Sequence, residues 1–282
     1  MSDTLERPVS PKRWEFLNSG LRPGAYNMQL DEALASALVA GDVLPTLRVY
    51  GWKPYAVSLG FHQSIEDIDE KKCAEHGIDI VRRPTGGRAI LHADELTYCA
   101  VMKAEGKNVQ TVYGEISRAL VAGLRRLGAD VDFASSQPEF GTLYRSPSSI
   151  PCFSSSARYE IQSGGKKLVG SAQRRYSTRG DEVVLQHGSI LLGPGHRLLS
   201  ELVRGGEHGL SGTIHAALES KTTDLSSMLK CDVSFGRVAD AVREGFEEAL
   251  GIEFEDLEGK ASHVENEEGM SASISQPRKV LL

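Results

Sequence analysis

The chain has 282 residues, 40% of them hydrophobic and 25% charged, with a formal net charge of −6. That length suffices for one large domain or two small ones with a substantial core, and the composition is that of an ordinary globular protein. An acidic balance argues against nucleic acid as a partner, since phosphate binding calls for a basic field. No apolar run approaches the ~20 residues that span a bilayer, so no membrane partner is expected.

MSDTLERPVSPKRWEF, at the start, lacks the basic-then-apolar layout of a secretory signal, and the expected compartment is the cytoplasm. Cys73, Cys99, Cys152 and Cys231 include no CxxC pair, which speaks against a disulfide framework or a zinc site. The histidines form no HExxH and no ligand-spaced cluster with cysteine, so neither a metal nor a cofactor is expected.

Residues 14–20 read as a strand and 25–41 as a helix, with Met28, Leu30, Ala33, Leu34, Ala37 and Leu38 on its apolar face. TLRVYGW (46–52) and AVSLGF (56–61) flank a Lys53-Pro54 turn and read as a hairpin. A helix over 64–77 is predicted from Ser64 and Asp67 at its start and Gly77 at its end. Residues 79–84 return as a strand into a Thr-Gly-Gly turn, and 88–103 read as one or two strands broken near His92-Ala93-Asp94. A helix over 112–127 follows, with Ile116, Leu120, Leu124 and Leu127 as its stripe. After a Ser/Pro/Gly-rich loop over 135–151, residues 158–175 alternate about Gly164-Gly165 as a hairpin, and 182–192 form another strand. From 221 the chain turns helical, with Phe235, Val238, Val242, Phe246 and Ala249 on one face of a helix ending at Gly251.

This order predicts an α+β fold: one domain with a central, largely antiparallel mixed sheet flanked by helices. Residues 1–13 are expected to be an N-terminal extension, 14–258 the folded domain, and 259–282 a disordered tail of low apolar content.

Arg82-Arg83-Pro84-Thr85-Gly86-Gly87-Arg88 could bring backbone amides and arginines to a carboxylate or phosphate, or could be a hairpin turn with surface arginines. His92, near Asp94 and Glu95, is either an acid–base group or a histidine satisfied at a strand break. Cys99 lies in an apolar run and reads as a small buried hydrophobe. Cys152 alone combines a loop position, polar neighbours and a lysine-rich hairpin just downstream, where an ammonium would favour the reactive thiolate. Lys166 and Lys167 are adjacent in a strand, so alternation sends one inward and leaves the other solvated. The polar Gln186-His187-Gly188-Ser189 within an apolar strand marks a bulge or a pocket wall.

RRPTGGRAILHADELTY, then about 80 residues later GKKLVGSAQRR, then LQHGSILL, resembles the biotin/lipoyl protein ligase catalytic family. NMQLDEAL and LRVYGWKPYAVSLGFHQ add to the likeness, which runs in the family's order from about 14 to 255. It implies the class II aminoacyl-tRNA synthetase/biotin ligase-like fold. The cysteine in SSIPCFSSSARYE resembles the family's octanoyltransferases, which take octanoyl groups from acyl carrier protein.

By that resemblance Cys152 is the acyl-thioester nucleophile, and Lys167 lowers the thiol's pKa and orients the acyl carbonyl. Arg83, Gly86, Gly87 and His92 would line the acyl pocket, with Gly170, Ser171 and Ala172 on its opposite wall. The implied donor is octanoyl-acyl carrier protein, and the acceptor a lipoyl-domain protein such as the glycine-cleavage H protein. Two positions depart from the pattern. Ala93 stands where many relatives have Asp after the histidine, and Arg88 replaces the third glycine of many ligases. The alternatives are an ATP-dependent lipoate ligase, an amidotransferase between lipoyl domains, and a non-enzymatic binding module.

Overall fold

The computed structural model describes residues 11–133, 160–177, 180–204 and 210–256. Cys152, the loop over 135–151 and the tail over 259–282 lie outside the described residues.

Strand β1 (Lys12–Arg22) leads into helix α1 (Gly24–Ala40), which Gly41 closes. Then come β2 (Thr46–Trp52), β3 (Ala56–Leu59), a short 3-10 turn at Ile65–Asp67, α2 (Glu70–Glu75) and β4 (Asp79–Arg82). β5 (Ile90–His92), β6 (Glu95–Lys103), α3 (Val109–Arg126) and β7 (Asp132–Phe133) complete the first half. In the second half lie β8 (Ile161–Ser163), β9 (Lys166–Ser177), β10 (Glu182–Leu191), α4 (Leu199–Leu202), α5 (Leu210–Lys221), α6 (Leu225–Leu229), α7 (Phe235–Leu250) and β11 (Ile252–Asp256).

Among the described residues eight strands form one sheet, in the order β11-β1-β2-β6-β10-β9-β8-β7. It is parallel at β11-β1-β2 and antiparallel from β2 onward, the mixed α+β sheet that the sequence predicts. Strand alternation divides its two faces. Leu47, Val49, Ala100, Met102 and Val184 join one core cluster with Val112, Ile116 and Leu120 of α3 and Val238, Val242 and Phe246 of α7. Tyr50, Trp52, Cys99, Val101, Val183 and Leu185 point the other way, against Met28, Ala35 and Leu38 of α1.

Several expectations are corrected. β2 and β3 do not form a hairpin: β3 leaves the large sheet and pairs with β4 and β5 in a second, three-stranded sheet. The 64–77 segment is two pieces, because Ser64 caps the 3-10 turn while Asp69 separately caps α2 by accepting from Lys72 N–H. Helical structure after β10 begins at Pro194, well before 221. α1 buries Asn27 and Asp31, and turns Ala33 outward, because a buried arginine on β2 claims its polar side. The hairpin at Gly164-Gly165 forms as read, both glycines taking positive φ (54° and 76°) that a side chain would resist.

Candidate active site

A cavity opens between the α1 face of the large sheet and the small sheet, with about 350 Å³ of space including its mouth. The large sheet contributes Tyr50, Trp52, Thr97, Gly170, Ser171, Ala172, His187, Gly188 and Ser189 to its walls. Met28 of α1, Arg83, and Ile90 and His92 of β5 complete the lining. The structure thus brings together Arg83, His92, Gly170, Ser171 and Ala172 from the predicted set. Gly86 and Gly87 do not line it; they are exposed in the turn above. The polar interruption in β10 is a pocket wall, with regular pairing to both neighbours. Gly188 is required there: a Cβ would come within 2.5 Å of the Gly170 carbonyl oxygen.

Two hydrogen-bonded chains support the walls. In the first, Arg83 donates to the Ser58 carbonyl at 2.9 Å and to Ser58 Oγ at 3.1 Å. Ser58 Oγ in turn lies 2.7 Å from His92 Nε2, and His92 Nδ1 lies 2.8 Å from Glu95 Oε1. A carboxylate at Nδ1 places the ring proton there, so Nε2 accepts from the Ser58 hydroxyl. Ser189 and Thr97 also donate to Glu95 Oε1, and Trp52 Nε1 donates to Thr97 Oγ1 at 2.8 Å. Of the two carboxylates near His92, Glu95 is its partner; Asp94 instead accepts from Tyr55. Arg83 also donates to the Gly86 and Arg88 carbonyls, and Arg82 donates to those of Gly60, Phe61 and Gln63. Arg83 therefore holds its own 83–88 turn, and Arg82 the 60–63 segment after β3, each by binding backbone carbonyls.

The second chain escaped sequence reading. Arg48, fully buried, donates to Asp31 Oδ1 at 2.6 Å and to Asn27 Oδ1 at 2.6 Å. Tyr50 donates to Asp31 Oδ2 at 2.8 Å, and His187 Nδ1 lies 3.0 Å from the same oxygen. His187 Nε2 lies 2.7 Å from Thr85 Oγ1. Burial would raise the Asp31 carboxyl, but Arg48 and the bonds from His187 and Tyr50 hold it below its ordinary value. Burial pushes His187 below the usual imidazole value against the pull of Asp31. The ring is neutral at pH 7, with its proton on Nδ1. Only NMQLDEAL and the Arg within LRVYGW hinted at this pair, and nothing local says that they meet.

Lys167 and Lys166 part as alternation requires. Lys166 is exposed and donates to the Glu219 carbonyl, whereas Lys167 is buried with Nζ 2.6 Å from Glu160 Oε1. β8 and β9 slip register there: Ile161 faces Val169 and Gln162 faces Lys167, leaving Leu168 as a bulge. Of the three described cysteines, Cys73 and Cys99 are buried. Burial raises the Cys99 thiol well above its usual value, and burial with Asp69 and Glu70 raises Cys73 to about 11. Cys231 is exposed. Among the described residues no group of three His, Cys, Asp or Glu could hold a metal, and no helix is long and apolar enough to cross a membrane.

Residues 23–247 match the lipoyl protein ligase A/B catalytic domain. The chain belongs to that family. Its relatives in the lipoyl protein ligase A/B family include Octanoyltransferase LipM of Kyrpidia tusciae, 40% identical over 92% of this chain and 95% of the relative. Octanoyltransferase LipM of Symbiobacterium thermophilum is 42% identical over 85% and 87%, and that of Staphylococcus aureus is 34% identical over 87% and 90%. Solved structures share the family fold. A lipoate-protein ligase A bound with ATP superposes with a TM-score of 0.68 at 23% identity, covering 90% of this chain and 92% of that one. A bi-partite lipoate protein ligase from Thermoplasma acidophilum gives 0.68 at 22% identity, covering 91% of each chain.

Proposed function

We propose that the protein is an octanoyltransferase for protein lipoylation. It takes an octanoyl group from octanoyl-acyl carrier protein onto Cys152 and passes it to a lysine of a lipoyl domain, that of the glycine-cleavage H protein. The observation that carries this reading is the set of relatives named Octanoyltransferase LipM, which this chain matches at 34–42% identity over most of both lengths.

The donor is a thioester and already has a good leaving group, so no ATP is needed. The Cys152 thiolate attacks the acyl carbonyl, the bond to the carrier's thiol breaks, and that thiol leaves with a proton from solvent. Exchanging one thioester for another is nearly isoenergetic. The acceptor's neutral amine then bonds to the acyl carbonyl carbon of the acyl-enzyme, the bond from that carbon to Cys152 Sγ breaks, and the amine's proton ends on the released thiol. The amide formed is the stable product that draws the transfer forward. Lys167 supplies a buried cation for the thiolate and the tetrahedral oxyanion. The cavity under Arg83 and His92, walled by Gly170, Ser171 and Ala172, takes the acyl chain, with Met28, Trp52 and Ile90 as apolar surface.

The test is intact mass after mixing with octanoyl-acyl carrier protein without ATP. An octanoyl adduct on Cys152 that hydroxylamine removes is the expected result. Full transfer by Cys152→Ala, or a strict requirement for ATP, would overturn it.

A further inference from the structure

The cavity wall is polar in residue type and yet keeps its hydrogens to itself. A guanidinium has five N–H donors, and all five of Arg83 are bound. Nε and Nη2 donate to the Gly86 carbonyl, Nη2 also to that of Arg88, and Nη1 to the Ser58 carbonyl and Oγ. Glu95 collects three more on Oε1, from His92 Nδ1, Thr97 Oγ1 and Ser189 Oγ. Trp52 gives its N–H to Thr97. Asp31 Oδ2 takes the Tyr50 hydroxyl and the His187 Nδ1 proton.

Ser171 differs in direction. It lies in register with Tyr98 across Gly188, and its Oγ accepts from the Tyr98 hydroxyl at 2.7 Å. Tyr98 belongs to the core cluster on the α3 side, so strand alternation puts the Ser171 side chain on that face. Among the described lining residues, no side-chain N–H or O–H on the cavity face is left to meet an occupant. An acceptor oxygen buried there would give up its water and gain no such donor, a loss of roughly five- to a hundredfold.

We propose that this cavity selects the acyl chain by withholding donors: it admits a plain alkyl chain, rejects one with a keto oxygen in its far half, and leaves the scissile carbonyl outside, at the mouth. The proposal rests on the reading that the cavity holds the acyl chain. It also gives the two most polar motif residues a definite task. Neither donates to the substrate: Arg83 is spent on Ser58 and the turn, and His92 on the buried carboxylate of Glu95. The donor to the oxyanion then comes from outside this lining, to which Lys167 does not belong.

The experiment compares two donors carried on acyl carrier protein, 7-oxooctanoyl and 7-methyleneoctanoyl, which match in shape and exchange one oxygen for one methylene. Transfer to a lipoyl domain by the full-length protein is followed by intact mass, and kcat/KM is compared. The keto chain is expected to be at least about fivefold poorer than its isostere. Ala172→Leu, which fills part of the cavity, is expected to lower octanoyl transfer by about fivefold or more. Ile90→Phe serves the same purpose should Ala172→Leu not fold, as read by circular dichroism. A keto penalty below about fivefold, with octanoyl transfer lowered by the filled cavity, means that the wall supplies a donor. The proposal then falls alone. Undiminished octanoyl transfer by a folded filling variant means that the chain lies elsewhere, and the reading falls together with the proposal.

Discussion

The imidazole of His92 lies flat on the indole of Trp52, with ring centroids 3.9 Å apart and planes 11° from parallel. One residue ends β5 in the small sheet and the other ends β2 in the large one, so this stack joins the two sheets at the cavity. The indole is also anchored through Nε1 to Thr97, which leads on to Glu95. Trp52→Phe keeps an aromatic surface under His92 but leaves Thr97 without that donor. It is expected to cost about 1–2 kcal/mol, which for a domain of this size lowers Tm by several degrees. Thermal unfolding followed by circular dichroism reads this directly. A Tm within one degree of the wild type would mean that the anchoring bond contributes nothing.

Arg48 and Asp31 make a second test, because both are fully buried and paired at 2.6 Å. Breaking such a pair from one side strands a charge in the core and costs about 3–5 kcal/mol, whereas replacing both partners with apolar groups costs far less. Arg48→Met is thus expected to lower stability severely, and Arg48→Met combined with Asp31→Leu to recover part of the loss. Urea unfolding of the two single variants and the double completes the cycle. Strict additivity would show that the two charges are energetically independent.

The same pair shows where the sequence could be read and where it could not. α3, α7 and the Gly164-Gly165 hairpin were legible because their signals are local: a 3.6-residue apolar stripe, and two adjacent glycines at positive φ. α1 misled because Asp31 reads as a solvent-facing residue until Arg48, on a different element, claims it. β11 was missed because five residues after a helix carry little signal, and their partner β1 lies at the other end of the chain. The small sheet was hidden for a similar reason. Lys53-Pro54 looks like a hairpin turn, yet the pairing of β3 is decided by β4 and β5. Within the site, His92 and the Gly170–Ala172 wall could be placed from motifs, while Met28, Tyr50 and Trp52 look like ordinary core residues. Glu160 gave no signal, since nothing in its neighbourhood announces that a buried lysine will fold back against it.

His196 predicts how stability depends on pH. It is buried, with Nε2 2.8 Å from Thr222 Oγ1, and burial lowers its pKa to about 4. The unfolded histidine titrates near 6.5, so between those values the unfolded chain binds a proton that the folded one refuses. Its contribution is fully present above pH 6.5 and is lost as pH falls through about 4, amounting to about 3 kcal/mol at most. His196→Gln keeps a polar group in that position and removes the titration. Its unfolding free energy should fall less steeply between pH 6.5 and 4 than that of the wild type. Parallel curves for the two proteins in chemical denaturation would assign the acid sensitivity to other groups.

Lys166 and Lys167 are the sharpest functional comparison, being identical in chemistry and adjacent in sequence. Lys166 is exposed and reaches only a carbonyl on α5, whereas Lys167 is buried against Glu160. A preorganised cation in a water-poor site stabilises developing negative charge far more than a solvated one, and loss of one such donor costs ~10²–10³ in rate. Lys167→Met is therefore expected to reduce octanoyl transfer by about that factor, and Lys166→Met by less than about twofold. Single-turnover acylation by octanoyl-acyl carrier protein isolates the first step from acceptor binding. A comparable loss in both variants would point to general electrostatic attraction of the donor, and an undiminished rate in Lys167→Met would remove the lysine from the chemistry.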